Sequence, residues 1–249
     1  MSIEKKPLVN DLYTADPSAH VFNGKIYIYP SHDEDIDVEN NDNGDQYDMK
    51  DYHVYEMPDT ETYPRDCGCV LKLEDIPWAS KQLWAPDCVE KDGKYYFVYP
   101  ARDKEGFFRI GIAIGDKPEG PFKPEPNYIP GSYSIDPCMF PDTDGKYYLT
   151  FGGIWGGQLD QYRNNKWSAD NKEPKGDEEA CTAKIALMKD NLLEMAEEPK
   201  DIVIVDENGK PLTGGDEARR YFEDPWMFKK GDTYYFTYST GTTHLLCYA

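Results

Sequence analysis

Residues 136–151 read DPCMFPDTDGKYYLTF: an acid followed by proline, a short apolar stretch, a turn that ends in glycine, and an aromatic run. The same order recurs in three other segments, which read ADPSAHVFNGKIYIYP from Ala15, APDCVEKDGKYYFVYP from Ala85 and EDPWMFKKGDTYYFTY from Glu223. Asn-Gly and Asp-Gly turns between aromatic or β-branched runs favour a β-hairpin. The sequence therefore predicts a hairpin that recurs four times along an all-β chain.

A recurring hairpin in a chain with weak helix signals is typical of a β-propeller, in which sheets surround a central axis. We expect the last blade to be missing, because residues 239–249 stop inside what reads as another strand. The alternative is a β-sandwich, which would not need the acid–proline element to return in each unit. We expect residues 1–249 to form a single catalytic domain.

Composition limits the partners and the compartment. The 249 residues include 47 Asp or Glu and 27 Lys or Arg, for a formal net charge of −20. No basic stripe exists to displace counterions from phosphate, which argues against nucleic acid or an anionic membrane as partner. No run approaches the ~20 apolar residues that cross a bilayer. The chain begins MSIEKKPLVN without an apolar segment behind it, so we expect a cytoplasmic protein, or a periplasmic or secreted one if a signal peptide was removed.

Three acids stand at or beside the acid–proline position of their units: Asp16, Asp136 and Glu223. The first strand of each propeller blade lines the axis, so we expect these carboxyl groups to meet at one mouth of the channel. Carboxyl groups held together spread their pKa values, which suits a general acid and a general base. The alternative is that Asp-Pro only opens a turn. Because the acid recurs at the matching place in three units, we favour a catalytic site over a simple turn.

The motifs also resemble those of a known family. The segments that carry the resemblance are TADPS at 14–18, LWAPD at 83–87, SIDP at 134–137 and FEDP at 222–225. They are similar to the active-site motifs of glycoside hydrolase family 43, inverting enzymes on a five-bladed propeller that act on xylans and arabinans. The resemblance implies that Asp16 is the general base, that Glu223 is the general acid, and that Asp136 orients and tunes the acid. One departure is Asp224, where the family commonly has glycine.

Four further residues are candidates for sugar binding. The resemblance makes Trp84 the wall of a sugar subsite, although a core position is the alternative. Trp155 follows the strand after Asp136, from which it would also reach the mouth of the channel. His32 and Asp33 end the aromatic strand of the first unit, from which they would hydrogen-bond sugar hydroxyls. Residues 33–51 carry nine acids and are interpreted as a solvated loop. No metal-ligand spacing is present and no cofactor is required, but the resemblance implies that a divalent cation such as calcium is an option.

We expect an inverting, exo-acting β-xylosidase that also acts as an α-L-arabinofuranosidase, with xylo-oligosaccharides and arabinosides as substrates. Inversion needs space for a water between two carboxyl groups ~6.5–9.5 Å apart. The alternatives are an endo-acting arabinanase or xylanase and a non-catalytic sugar-binding propeller. A retaining propeller of the invertase type is disfavoured, because its Asn-Asp-Pro-Asn and Glu-Cys elements are missing. Formation of a homo-oligomer stays open.

Overall fold

The structure is a computed structural model that describes residues 6–249. Residues 1–5, on which the expectation about a signal peptide partly rests, lie outside the described residues. The described part has eighteen strands and two single-turn 3-10 helices, Leu73–Asp75 and Leu159–Gln161. The strands are β1 (Tyr13–Phe22), β2 (Lys25–Asp33), β3 (Asp51–Met57), β4 (Arg65–Lys72), β5 (Ala79–Lys81), β6 (Asp87–Lys91), β7 (Lys94–Asp103), β8 (Phe108–Gly115), β9 (Lys123–Pro124), β10 (Cys138–Pro141), β11 (Tyr147–Phe151), β12 (Tyr162–Arg163), β13 (Lys166–Trp167), β14 (Lys184–Leu187), β15 (Lys200–Asp201), β16 (Glu223–Lys230), β17 (Thr233–Thr240) and β18 (Leu245–Tyr248).

Four antiparallel sheets follow one another along the chain and form blades. The first has the order β1-β2-β3-β4, the third β10-β11-β14-β15 and the fourth β16-β17-β18. In the second, β5 and β6 both pair with β7, which continues to β8 and β9. The inner strands β1, β6, β10 and β16 contact one another in that order. These features confirm the predicted all-β propeller, with four blades in the described residues.

The repeated hairpins form because their turn residues accept a left-handed backbone. Asn23 and Gly24 join β1 to β2 with φ values of 52° and 77°, and Asp92 and Gly93 join β6 to β7 with φ values of 53° and 75°. Two consecutive residues with positive φ match the twist of the paired strands. Each turn therefore fixes the register of its hairpin, and with it the position of the acid at the start of the inner strand.

The core lies between the blades, where alternate residues of the strands are aromatic. Tyr29, Tyr52, Phe97 and Tyr99 are fully buried between the first and second blades. In addition, the buried Asp87 of β6 pairs with His20 Nε2 at 2.6 Å and accepts the backbone N–H of Met139 at 2.7 Å. Asp87 thus joins the inner strands of the first three blades around the axis.

In the first and fourth blades, the acid–proline element forms a bulge at the start of the inner strand. The register shifts between Ala15 and Ser18 in β1 and between Glu223 and Trp226 in β16. The acid before each proline has a positive φ: 44° at Asp16, 56° at Asp136 and 56° at Asp224. Proline has no N–H for the ladder, so the chain leaves the regular pairing here. Asp224, rather than its neighbour Glu223, is therefore the structural equivalent of Asp16 and Asp136.

No helix in the described part of the chain is both long enough and apolar enough to span a membrane.

Candidate active site

A cavity of about 670 Å³ opens where the inner strands begin. This volume is in the range of small-molecule sites. Six of the seven residues predicted to act on a sugar line it, and they are Asp16, Asp33, Trp84, Asp136, Trp155 and Glu223. Asp224 also lines the cavity, whereas His32 does not. The acid–proline elements of three blades therefore bring the carboxyl groups of Asp16, Asp136, Glu223 and Asp224 into one cavity.

A hydrogen bond joins Asp136 to the backbone of Asp224 within the cluster of four carboxyl groups. Asp136 is 8% exposed, and its Oδ2 accepts the backbone N–H of Asp224 at 3.1 Å. The Oγ of Ser239 donates to Asp224 Oδ2 at 2.8 Å. Burial raises the pKa of Asp136 well above its ordinary value, and the carboxyl groups of Asp224, Glu223 and Asp16 raise it further. Burial also raises the pKa of Asp224. The cluster consequently retains protons at a pH where isolated carboxyl groups are ionised.

The environment separates the pKa values of Asp16 and Glu223. Burial raises the pKa of Asp16 to about 7, with smaller contributions from Asp224 and Asp33. Although Asp16 has exposed surface, it lines the recessed cavity, where protein replaces much of the water around the carboxyl group. Burial raises the pKa of Glu223 to about 9, with contributions from Asp224 and then Asp16. Between pH 7 and pH 9, Asp16 is mostly ionised while Glu223 is mostly protonated.

Asp136 lies beside the segment that carries Glu223, and the two carboxyl groups repel each other. In the structure, the neighbouring charges that raise the pKa of Glu223 belong to Asp224 and Asp16. Asp136 is itself buried, with a strongly raised pKa. Its contact with the backbone of Asp224 makes it a residue that positions the segment carrying the acid.

Trp84 forms a wall of the cavity and is held firmly in place. It is 8% exposed, and its Nε1 donates to the carbonyl oxygen of Tyr47 at 2.8 Å. The ring contacts Gly44 and Gly156, where an added Cβ would come within 2.3 Å and 2.4 Å of Trp84 Cη2. Only residues without a side chain fit against the indole at these two positions. The two interpretations of Trp84 therefore both hold: it is buried like a core residue and it lines the site.

The acid-rich segment that was interpreted as a solvated loop supplies another wall. Within residues 33–51, eight residues line the cavity: Asp33, Asn40, Asn41, Asp42, Gly44, Gln46, Tyr47 and Met49. The buried Arg102 donates to the carbonyl oxygens of Asn43 at 2.8 Å and of Gly156 at 3.2 Å. Gln82 Nε2 donates to the carbonyl oxygen of Gly44 at 2.6 Å. The only local signal for this wall is the Asn-Gly turn at 43–44, because the residues that hold it are distant in sequence.

Of the other three candidates for sugar binding, Trp155 and Asp33 line the cavity and His32 does not. Trp155 is 44% exposed and contacts Phe222 edge-on, with the ring centroids 5.3 Å apart. Asp33 ends β2 and faces the cavity. Side chains alternate along a strand, so the preceding His32 faces the other way. Its Nδ1 pairs with Asp51 Oδ1 at 2.6 Å, and the expectation that His32 binds sugar receives no support.

The site has the components needed to break a glycosidic bond. A mostly ionised carboxylate and a mostly protonated carboxylic acid share one cavity, which is the requirement for base and acid catalysis at a sugar. Aromatic rings and amide side chains complete the walls, as in sites that bind carbohydrate rings and hydroxyls. Fold and site together define a glycoside hydrolase on a β-propeller.

Comparisons with known proteins also indicate a glycoside hydrolase. The sequence profile of glycosyl hydrolases family 43 matches residues 5–248. A xylosidase/arabinosidase from Bacteroides ovatus is 56% identical over 250 residues, which cover 100% of this chain and 77% of that protein. Xylosidase/arabinosidase 43A from Humicola insolens is 57% identical, with 96% of this chain and 76% of that protein covered. The chain belongs to glycoside hydrolase family 43 and is an enzyme that hydrolyses glycosidic bonds.

A solved structure extends the match to three dimensions. It is a β-xylosidase/α-arabinofuranosidase of this family from a compost microbial metagenome, in complex with xylotriose and in a calcium-free form. It superposes with a TM-score of 0.94 at 54% identity, over 98% of this chain and 75% of that one. The agreement confirms that the four blades have the arrangement of the family.

The calcium ion that the resemblance implies as an option stays a prediction of the sequence. Calcium takes six to eight oxygen ligands. In residues 6–249, only one group of three or more His, Cys, Asp or Glu side chains is close enough to hold a metal: His32, Asp51 and His53. Two of these three ligands are imidazoles, which do not suit calcium.

Proposed function

We propose that this enzyme releases xylose, and also L-arabinose, one residue at a time from xylo-oligosaccharides and arabinosides, with inversion at the anomeric carbon. The observation that carries the proposal is the pair of carboxyl groups with separated pKa values, Asp16 near 7 and Glu223 near 9, in one cavity. The names of the relatives and the bound xylotriose of the solved structure support a xylose-containing substrate.

Asp16 is the general base of the proposed reaction. Its carboxylate accepts a proton from a water molecule as that water attacks the anomeric carbon. The left-handed backbone of Asp16 at the bulge, followed by Pro17, holds the carboxylate at the start of β1. The developing oxocarbenium character of the sugar is favoured by the negative charge of this group.

Glu223 is the general acid. Its carboxylic acid gives its proton to the glycosidic oxygen as the bond to the leaving sugar breaks. The charge of Asp224 opposes ionisation of Glu223. Asp136 accepts the N–H of Asp224 and so positions the residue next to the acid. After turnover, Glu223 regains a proton from solvent and Asp16 loses one to it.

The walls of the cavity bind the sugar. Trp84 presents a rigid apolar surface, and Trp155 presents an exposed ring from the third blade. Aromatic faces of this kind pack against the apolar face of a sugar ring. Asn40, Asn41 and Gln46 offer amide groups to its hydroxyls. A recessed cavity with these walls suits the end of a short oligosaccharide.

We also propose that the catalytic domain is a single propeller of five blades. A five-bladed propeller with a single catalytic domain is supported by the family, whose matched members are longer than this chain by about a quarter of their length. Action on oligosaccharides in the cytoplasm and assembly into a homo-oligomer remain expectations of the sequence.

The test uses variants of the two carboxyl groups. We expect Asp16→Asn to lower kcat on every substrate by about 10²–10⁴-fold, because an amide accepts no proton. Glu223→Gln should lose hydrolysis of xylobiose but retain much of its rate on aryl xylosides with acidic leaving groups, which need little protonation. Asp232→Asn, in the exposed turn before β17, is the matched control and should leave both rates unchanged.

The stereochemistry is read by proton NMR of the sugar first formed from a β-xyloside, which should be α-xylose. β-Xylose as first product would contradict inversion. Wild-type rates in both carboxyl variants would contradict the catalytic assignment. Release of oligosaccharides instead of single sugars would show endo action, and binding without turnover by the wild type would show a sugar-binding propeller.

A further inference from the structure

A cluster of two histidines and two aspartates lies in the first blade, outside the catalytic cavity. His32 ends β2, while Asp51 and His53 lie two residues apart on β3 and so on one face of the sheet. Asp66, on β4, completes the cluster. The four side chains are partly buried, with exposed fractions between 17% and 30%. None of them lines the cavity or enters the reaction described above.

Each imidazole is oriented by a carboxylate. His32 Nδ1 pairs with Asp51 Oδ1 at 2.6 Å, and His53 Nδ1 pairs with the two carboxylate oxygens of Asp66 at 3.1 Å and 3.0 Å. An ionised carboxylate only accepts hydrogen bonds, so the pair with Asp66 places the proton of His53 on Nδ1 and leaves a free lone pair on Nε2. A carboxylate in this position holds a metal-binding histidine in the correct tautomer and orientation. Nδ1 of His32 and Oδ1 of Asp51 instead face each other, so a metal ion bound by both would replace the proton that they share.

The two imidazoles also lie beside each other. Their ring centroids are 5.4 Å apart, with the ring planes at 69°. One nitrogen or oxygen ligand atom from each of His32, Asp51 and His53 lies within 4.8 Å of the other two. A tetrahedral zinc site with bonds of about 2.0–2.1 Å places its ligand atoms about 3.3 Å apart. To close such a site, His32 Nδ1 and Asp51 Oδ1 would move apart from 2.6 Å, and the ligand atom of His53 would move to a similar distance from both.

We propose that His32, Asp51 and His53 bind a divalent transition-metal ion, with zinc as the best match. Two imidazoles and one carboxylate are ligands that zinc accepts, with water in the fourth position. In the described residues, the only ion pairs of Asp51 and Asp66 are those with the two histidines, so no lysine or arginine neutralises the cluster. The carboxylates leave the site negative, which favours a cation.

The bound ion would join β2 to β3 next to the catalytic cavity. His32 directly precedes Asp33, which lines the cavity and raises the pKa of Asp16. The ion therefore acts as a clamp on the strand end that carries Asp33. It takes no part in the proton transfers of Asp16 and Glu223.

The test is a titration of chelator-treated protein with zinc chloride, followed by calorimetry and by thermal unfolding. Cys67 and Cys69 lie on the adjacent strand β4 and would bind zinc on their own account. The titration therefore uses the Cys67→Ser/Cys69→Ser protein as the parent. We expect one zinc ion per chain and a rise in melting temperature with zinc concentration.

Variants of the ligands decide the assignment. His32→Ala and His53→Ala should each weaken zinc binding at least tenfold, and Asp66→Asn, which alters only the orientation of His53, about 10–100-fold. His244→Ala, an exposed histidine outside the cluster, is the matched control and should bind as the parent does. Because Asp66→Asn keeps every ligand, it remains informative if a histidine variant fails to fold. The proposal is overturned if the parent binds no zinc at 1 mM, or if the His32 and His53 variants bind as tightly as the parent.

Discussion

The backbone at position 224 explains why an aspartate can follow the general acid. Asp224 has a φ of 56° at the bulge before Pro225. Glycine adopts this conformation freely, and aspartate is among the few other residues that tolerate it well. Family 43 commonly has glycine at this point. The exchange therefore keeps the bulge but adds a carboxyl group whose charge raises the pKa values of Asp16, Asp136 and Glu223.

We predict that Asp224→Gly moves the pH–rate profile to lower pH. In the wild type, kcat/KM should rise as Asp16 loses its proton near pH 7 and fall as Glu223 loses its proton near pH 9. Removing the negative charge of Asp224 makes both carboxyl groups easier to ionise, so both limbs should shift by about one pH unit. The measurement is kcat/KM on a nitrophenyl β-xyloside from pH 5 to pH 10.

Asp224→Asn is the companion variant, because it removes the charge but keeps a side chain that can accept from Ser239. It should shift the profile in the same direction. A profile that stays in place in both variants would mean that the charge of Asp224 does not act on the catalytic pair.

At the scale of the elements, the position of Trp84 depends on two loops from different blades. Gly44 in the loop between β2 and β3 and Gly156 in the loop after β11 both contact the Cη2 end of the indole ring. Arg102 donates to both loops, at Asn43 and at Gly156. The two loops and Trp84 are thus packed as one unit. A side chain added at either glycine should displace Trp84 and weaken sugar binding.

We predict that Gly156→Ala destabilises the protein and impairs substrate binding. Its added Cβ would lie 2.4 Å from Trp84 Cη2, at a φ of +69°. Gly93→Ala is a matched control, because Gly93 has a φ of +75° but no atom within 4 Å of the added Cβ. Both variants have the same backbone strain, so Gly156→Ala should lose about 1–3 kcal/mol more stability in urea unfolding. It should also raise KM, whereas Gly93→Ala should not. Equal losses in the two variants would show that Trp84 is not clamped.

For the whole molecule, the features that the sequence predicts are local ones. Each hairpin is coded within about 15 consecutive residues by its turn and its aromatic run, such as Asn23-Gly24 before β2. The acids that precede the inner strands belong to the same units, so the assembly of Asp16, Asp136 and Glu223 in one cavity follows from the repeat. The resemblance to family 43 rests on the same segments.

The features that the sequence did not predict depend on contacts between distant residues. The wall formed by residues 40–47 is held by Gln82 and Arg102 from the second blade. His32 and His53 meet only because β2 pairs with β3. The raised pKa of Asp136 comes from burial and from three carboxyl groups on two other blades. None of these relations has a pattern that can be read along the chain.

The carboxyl groups that cluster at the axis should lower the free energy of unfolding as the pH rises. We predict that Glu223→Gln reduces this loss of stability. The pKa of Glu223 rises from 4.5 to about 9 on folding, so the folded state binds the proton more tightly, and stability is lost between these values as the pH increases. The gain in the free energy of unfolding in Glu223→Gln relative to the wild type should therefore grow from pH 5 to pH 9, by at least about 2 kcal/mol. Urea unfolding at pH 5, 7 and 9 measures it. Glu105→Gln, an exposed residue that forms no ion pair in the described part of the chain, is the control and should show a constant difference. A difference for Glu223→Gln that is equally flat would mean that Glu223 ionises as freely in the folded protein as in the unfolded chain.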